Sequence, residues 1–253
     1  MEHGLEMKTM EIDALGLSYR DLNQALKEAA AGGVTDVHVS NLNGQRYIGT
    51  SLLSTMKVEL TGTPGNDLGA FMDGPRITVR GNGQDGIGNT MNSGEIIIHG
   101  HAGDALGLAA RGGKIMVRDS TGYRAGIHMK EYEGKGPLMV IGGGAQDFLG
   151  EYMAGGVLVV LGLKAQPAGR TRARFVGTGM HGGSIYLRGT IESHQVGKEV
   201  GIAAPTEEDR VVLENAVQQY CSYFDASCED ILGGDFVKLF PLYLRPYGRL
   251  YAY

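Results

Sequence analysis

Two cysteines, seven prolines and no tryptophan occur in 253 residues, and no apolar run approaches the ~20 residues that a membrane-spanning helix needs. Cys221 and Cys228 lie seven residues apart. That spacing fits neither a C-x-x-C redox pair nor an iron–sulfur ligand set, and inert thiols beside a helix are the expectation. The opening residues MEHGLEMKTMEID lack the basic and apolar parts of a secretory leader, so the reading is a cytoplasmic, non-membrane chain. A formal charge of −5, with Lys and Arg scattered along the chain, offers no clustered positive field for nucleic acid.

Glycine is what the chain has in excess: 42 residues, far above the ~7% of ordinary proteins. Gly62, Gly81, Gly100 and Asp119 follow one another at intervals of nineteen, and the series continues with longer steps through Gly142, Gly162 and Gly189. Before each stands an apolar-x-apolar unit: Val58/Leu60, Ile77/Val79, Ile96/Ile98, Ile115/Val117, Leu138/Val140, Leu158/Val160 and Ile185/Leu187. A second glycine recurs at Gly69, Gly88, Gly107, Gly126, Gly150 and Gly169, preceded by Leu68, Ile87, Leu106, Ala125, Leu149 and Ala168. Met72, Met91, Ala110, Met129 and Met153 hold a third register. A unit of about twenty residues with three apolar registers is too short for a helical hairpin and cannot bury its stripe alone, so the units must stack. The expected fold is mainly β, a right-handed parallel β-helix of about seven coils over residues 55–195.

ITVRGNGQDGIGNTMNSG, residues 77–94, contains a literal G-x-G-x-x-G at Gly81, Gly83 and Gly86. A dinucleotide loop requires a helix after the third glycine, but IGNTMNSG is a poor helix, so these glycines read as solenoid corners. Residues 1–54 read as a cap, with a helix opened by Ser18 and Asp21, closed by Gly32 and Gly33, and followed by the strand VTDVHVS. Residues 196–253 read as a helical extension at the other end of the stack. There Thr206 and Asp209 open a helix that aligns Leu213, Val217, Tyr220 and Phe224, and an aromatic tail follows with Arg245 and Arg249.

Chemistry-bearing residues are few. Ser120 and Ser184 occupy repeat positions without an activating motif. His99 and His101, with His128, His181 and His194 in later turns, supply enough imidazoles for zinc in principle, but His99 shares its register with Thr61, Arg80 and Arg118, an outward and solvated position. No residue is assigned a catalytic, cofactor-binding or metal-binding role.

The serial turns GTPGNDLG (62–69), GHAGDALG (100–107) and STGYRAG (120–126), with GGKIMVRD and GGVLVVLG, resemble the C-terminal β-helix domain of the glutamate synthase large subunit, the GXGXG repeat family, in its stand-alone subunit form. The resemblance covers residues 50–200. It implies a non-catalytic structural and assembly subunit of an oxidoreductase that moves the amide nitrogen of glutamine to 2-oxoglutarate. FMN and an iron–sulfur cluster are then expected on the amidotransferase and synthase partner subunits, with none on this chain. Asp119 in place of glycine, and the longer coils at 127–137 and 170–183, depart from the pattern. The long turns and the tail are the expected docking surface, and a homo-oligomer is left open. The same solenoid resembles a subunit of formylmethanofuran dehydrogenase, and two other readings are an independent β-helix hydrolase and a relative using a different amine donor or acceptor.

Overall fold

A computed structural model describes residues 8–163 and 171–243. Eleven strands form one sheet: β1 (Thr9–Asp13), β2 (Asp36–Asn43), β3 (Lys57–Thr63), β4 (Arg76–Arg80), β5 (Glu95–Ile98), β6 (Lys114–Val117), β7 (Leu138–Ile141), β8 (Ala154–Val160), β9 (Gly182–Arg188), β10 (Val200–Ala203) and β11 (Phe236–Pro241). Neighbours from β1 to β9 are parallel and follow chain order; β11 then pairs antiparallel with β9, and β10 with β11. Among the described residues three α-helices and one short 3-10 turn (Ser193–Gln195) accompany the strands: α1 (Tyr19–Ala31), α2 (Glu207–Phe224) and α3 (Cys228–Leu232). The molecule is a β-solenoid with this sheet as one wall and glycine-rich turns as the others.

From β3 to β9 the chain completes six turns, one fewer than the coil count, because each turn closes only when the next strand begins. The stack also continues backwards into the segment read as a cap. Val37 and Val39 of β2 sit opposite Val58 and Leu60, and Gly69 N–H donates to Ile48 carbonyl oxygen at 2.8 Å. Ile48, Gly49 and Leu52 therefore fill the columns of Leu68, Gly69 and Met72.

One register read from the sequence is off by a residue. Ile115 pairs with Met139 and Val117 with Ile141, so the inward residues of β7 are Met139 and Ile141 rather than Leu138 and Val140. A one-residue shift exchanges the faces of a strand. Met139 and Ile141 accordingly belong to the interior core, whereas Val140 packs in a separate outer cluster with Leu138 at its margin. The corner glycine of that turn is likewise Gly143, whose N–H donates to Asp119 carbonyl oxygen at 2.8 Å, and Gly150 then follows it by the usual seven residues. The insertion at 127–137 had hidden the regular count. In the last turn, Val176, Gly177 and Met180 hold the three registers, as Gly177 N–H bonds Leu149 carbonyl oxygen at 2.8 Å. Ala168 and Gly169, read as that register, lie outside the described residues, as does the tail from 244 onward.

The interior is one column of Val, Ile, Leu and Met, and Leu22, Leu26 and Ala29 of α1 pack onto its first turns. Ser18 caps α1 by accepting from Asp21 N–H, and Gly32 ends it. The sheet has a second apolar face. Ile97, Met116, Val140, Val159 and Tyr186 point outward where the earlier strands carry Glu59 and Thr78. Leu213, Ala216, Val217 and Tyr220 of α2 cover that face, so the helix lies along the outer wall of the sheet. Burying a Val, Leu, Ile or Met side chain there contributes about 1.5–3 kcal/mol.

Asp209 pins this arrangement. It completes a capping box with Thr206, and its Oδ1 accepts from Tyr186 hydroxyl at 2.6 Å and from Lys238 Nζ at 2.7 Å. Burial pushes the carboxyl upward, but hydrogen bonds from Lys238, Tyr186 and Thr206 outweigh it and hold the group well below the usual carboxylate range. Helix α2, strand β9 and strand β11 thus meet at one buried charge.

Candidate functional site

Polar side chains of the turns are tied from coil to coil. Asn66 Oδ1 accepts from Asp85 N–H at 3.2 Å, Asp85 Oδ1 from Asp104 N–H at 2.8 Å, and Asp104 Oδ1 from Tyr123 N–H at 2.8 Å. A parallel row runs from Asn82 to His101 N–H at 2.8 Å, from His101 Nδ1 to Ser120 N–H at 3.2 Å, and from Ser120 Oγ to Gly144 N–H at 3.0 Å. The two aspartate staples account for Gly103 and Gly122, whose column holds Gln84 beside the Asn66 staple. A Cβ on Gly122 would run into Asp104 Oδ1, and one on Gly103 into Asp85 Oδ1. Glycine leaves the room in which the neighbouring coil's side chain reaches the backbone.

The G-x-G-x-x-G loop opens no helix. Gly83 N–H donates to His101 carbonyl oxygen, Gly86 N–H to Asp104 carbonyl oxygen and Gly88 N–H to Leu68 carbonyl oxygen, at 2.8–2.9 Å. Amides so occupied do not fit the cradle that a nucleotide phosphate needs.

The five histidines are not brought together. His99 is half-buried beside Phe224 rather than solvated; Arg80 donates to its Nε2 at 3.0 Å, which places the ring proton on Nδ1. Burial, with Arg80 and Arg118 nearby, lowers its pKa. His101 is a staple, His128 stacks on Tyr152 at 5.3 Å, His181 Nδ1 lies 3.1 Å from Gly179 carbonyl oxygen, and His194 sits 3.3 Å from Glu192. Among the described residues no group of three or more His, Cys, Asp or Glu could hold a metal ion. Ser120 is part of a staple, and Ser184 lies on β9 opposite Val157. Burial and the adjacent Cys228 push the Cys221 thiol up to about 12, the opposite of an activated thiolate.

The stack also builds a feature that was missed in the sequence. At the corner where the strands begin, Lys57, Arg76, Glu95 and Lys114 are successive partners in one column across β3 to β6. With Lys135 they line a cleft of about 600 Å³, together with Gly74, Gly94, Gly112 and Gly113. Arg76 Nε lies 2.6 Å from Glu95 Oε2, Lys114 Nζ 3.4 Å from Oε1, and Tyr223 of α2 donates to Oε2 at 3.0 Å. Burial raises the Glu95 pKa, and Tyr223, Arg76 and Lys114 more than reverse that, so the carboxyl is ionised. The cations themselves remain open, at 62%, 46% and 41% exposure for Lys57, Arg76 and Lys114. The signal was legible: these four residues are spaced by nineteen, the period of the coil.

A second surface lies on the turns. Phe148 and Phe175 stack at 4.9 Å, Arg124 sits 5.0 Å over Phe148, and Phe175 and Tyr152 are exposed. Phe148, Tyr152 and Phe175 all have positive φ, a backbone state that costs a bulky residue about 1–2 kcal/mol.

Comparison with known proteins agrees with this architecture. The model of a family described as the GXGXG motif matches residues 30–244. The uncharacterized protein MJ1350 of Methanocaldococcus jannaschii is 46% identical over 258 residues, covering 97% of this chain and 98% of that protein. Among solved structures, the formyltransferase/hydrolase complex FhcABCD of Methylorubrum extorquens, determined with methylofuran, contains a chain of similar fold. Its TM-score is 0.50 at 17% identity, over 93% of this chain and 91% of that one.

Proposed function

Because the chain belongs to the GXGXG motif family, we propose that it is a non-catalytic assembly subunit of a glutamate-synthase-like oxidoreductase. The observation that carries this reading is the staple network: Asp85, Asp104, His101 and Ser120, the groups with chemical potential in the turns, each hold the next coil. Such a framework is rigid along its axis and presents long, regular surfaces, as stacked repeats do. Transfer of glutamine amide nitrogen to 2-oxoglutarate then takes place on partner subunits. The donor set supports this reading: the amides of Gly83 and Gly86 are occupied, so that loop does not suit a flavin phosphate, and the protonated Cys221 thiol does not suit a cluster. FMN and the cluster are assigned to the partners.

The test is affinity purification from native cells, followed by identification of the captured subunits and their chromophores. Flavin- or cluster-bearing oxidoreductase subunits are expected, with no glutaminase turnover from the isolated chain. Flavin bound to the isolated chain, or turnover by it, refutes the reading. A second reading places the chain in a formyltransferase/hydrolase-type complex, and the near full-length overlap with the FhcABCD chain favours it. The identity of the captured partners separates the two.

A further inference from the structure

We propose that the strand-entry cleft binds an acidic, extended segment of a partner chain; this rests on the assembly reading above. Its shape is linear. The lining runs from Thr55 and Lys57 on one turn to Lys135, Gly136 and Leu138 four turns on. At ~4.8 Å per strand the row is about 19 Å long. Four cations line it against one carboxylate, Glu95, with Asp36 3.9 Å from Lys57, in a molecule whose formal charge is −5. The sign of the cleft is therefore opposite to that of the chain as a whole.

Glu95 holds Arg76 and Lys114 in line on either side of it, and Tyr223 fixes Glu95 in turn. Five glycines, Gly74, Gly94, Gly112, Gly113 and Gly136, contribute backbone to the lining, and Asn92 and Ser93 add polar side chains that can bond a main chain. An extended peptide advances about 3.3 Å per residue, so six residues span the row and every second side chain points the same way, about 6.6 Å apart. Three carboxylates on one side of such a segment span about 13 Å, close to the ~14 Å from Arg76 to the turn of Lys135, and the long side chains of Lys114 and Lys135 take up the uneven spacing. A single phosphate is a poorer match, because the cations are strung along the cleft and do not converge on one point. Single-stranded nucleic acid is also a poorer match, since none of the described lining residues is aromatic, and base stacking needs several.

The experiment measures anisotropy of a fluorescein-labelled octaglutamate with the full chain at low ionic strength. Saturable binding that weakens as salt rises is expected. The triple variant Lys57→Gln, Lys114→Gln, Lys135→Gln is expected to weaken binding at least roughly tenfold, a factor equal to about 1.4 kcal/mol. A control triple at exposed Lys27, Lys198 and Arg210, each changed to Gln, removes the same charge elsewhere and is expected to leave binding within about twofold. Equal losses in both triples, or no binding by the native chain, overturn the proposal. Pyrophosphate or an oligo-dT competing as well as unlabelled octaglutamate at matched charge also overturns it. Circular dichroism confirms that both triples fold. If the cleft triple loses the peptide yet still captures the partner subunits, the cleft assignment fails while the assembly reading stands; if the native chain captures none, the assembly reading fails by itself.

Discussion

Gly122→Ala tests the idea that glycine spacing makes room for staples. The added Cβ would meet Asp104 Oδ1 and stand 3.0 Å from Asp104 N and Gly103 C, so either the Asp104 side chain leaves or the coils part. Overpacking of this kind costs about 1–3 kcal/mol. Losing the charge-assisted bond from Tyr123 N–H to Asp104, exposed and 2.8 Å long, adds about 1 kcal/mol. The expected total is about 2–4 kcal/mol, read from urea unfolding followed by circular dichroism. Gly144→Ala is the matched control: nothing lies within 4 Å of its Cβ and its φ is not positive, so the change should stay within about 0.5 kcal/mol. In an Asp104→Ala background the penalty at 122 should shrink by about 1–2 kcal/mol, because only the backbone contacts remain. A Gly122→Ala cost below about 1 kcal/mol, or strict additivity with Asp104→Ala, refutes the reasoning.

Asp209→Asn should destabilise by about 3 kcal/mol at neutral pH, since it leaves half-buried Lys238 without its counterion. The native carboxyl has a depressed pKa, so its contribution is complete above the unfolded value of about 3.9 and is lost as pH falls through the folded value. The gap in urea midpoint between native and variant chains should therefore close in acid; a gap that is constant with pH refutes the assignment. Met139→Ala should cost about 2–5 kcal/mol, and Leu138→Ala under about 1.5 kcal/mol, because only Met139 is fully buried in the interior. Equal costs would restore the register that places Leu138 inward.

The fold was legible where the period was uninterrupted. Nineteen-residue spacing from Gly62 to Asp119 maps onto the pairing of β3 through β6 without error, because identical coils put identical residues at identical heights. At 127–137 the period breaks, and an apolar stretch such as Leu138 to Ile141 does not reveal which alternate residues face inward. Hydrogen bonding to the flanking strands settles that. The outer face was half legible: Ile97, Met116, Val140, Val159 and Tyr186 announce an apolar wall, but not which element covers it. Lys57, Arg76 and Lys114 looked scattered because charge was counted along the chain and not down the columns of the stack.

Composition and spacing alone determined that the chain winds into a solenoid, since repeated glycine corners and apolar registers have no other way to bury themselves. The tertiary structure alone decided what stands beside what across long sequence distances. The meeting of Asp209 with Tyr186 and Lys238, the seating of Tyr223 on Glu95, and the assembly of a cationic row from successive turns depend on the packing of α2 and on stacking height. Local sequence carries neither quantity, because both are set by contacts formed only once the coils have closed.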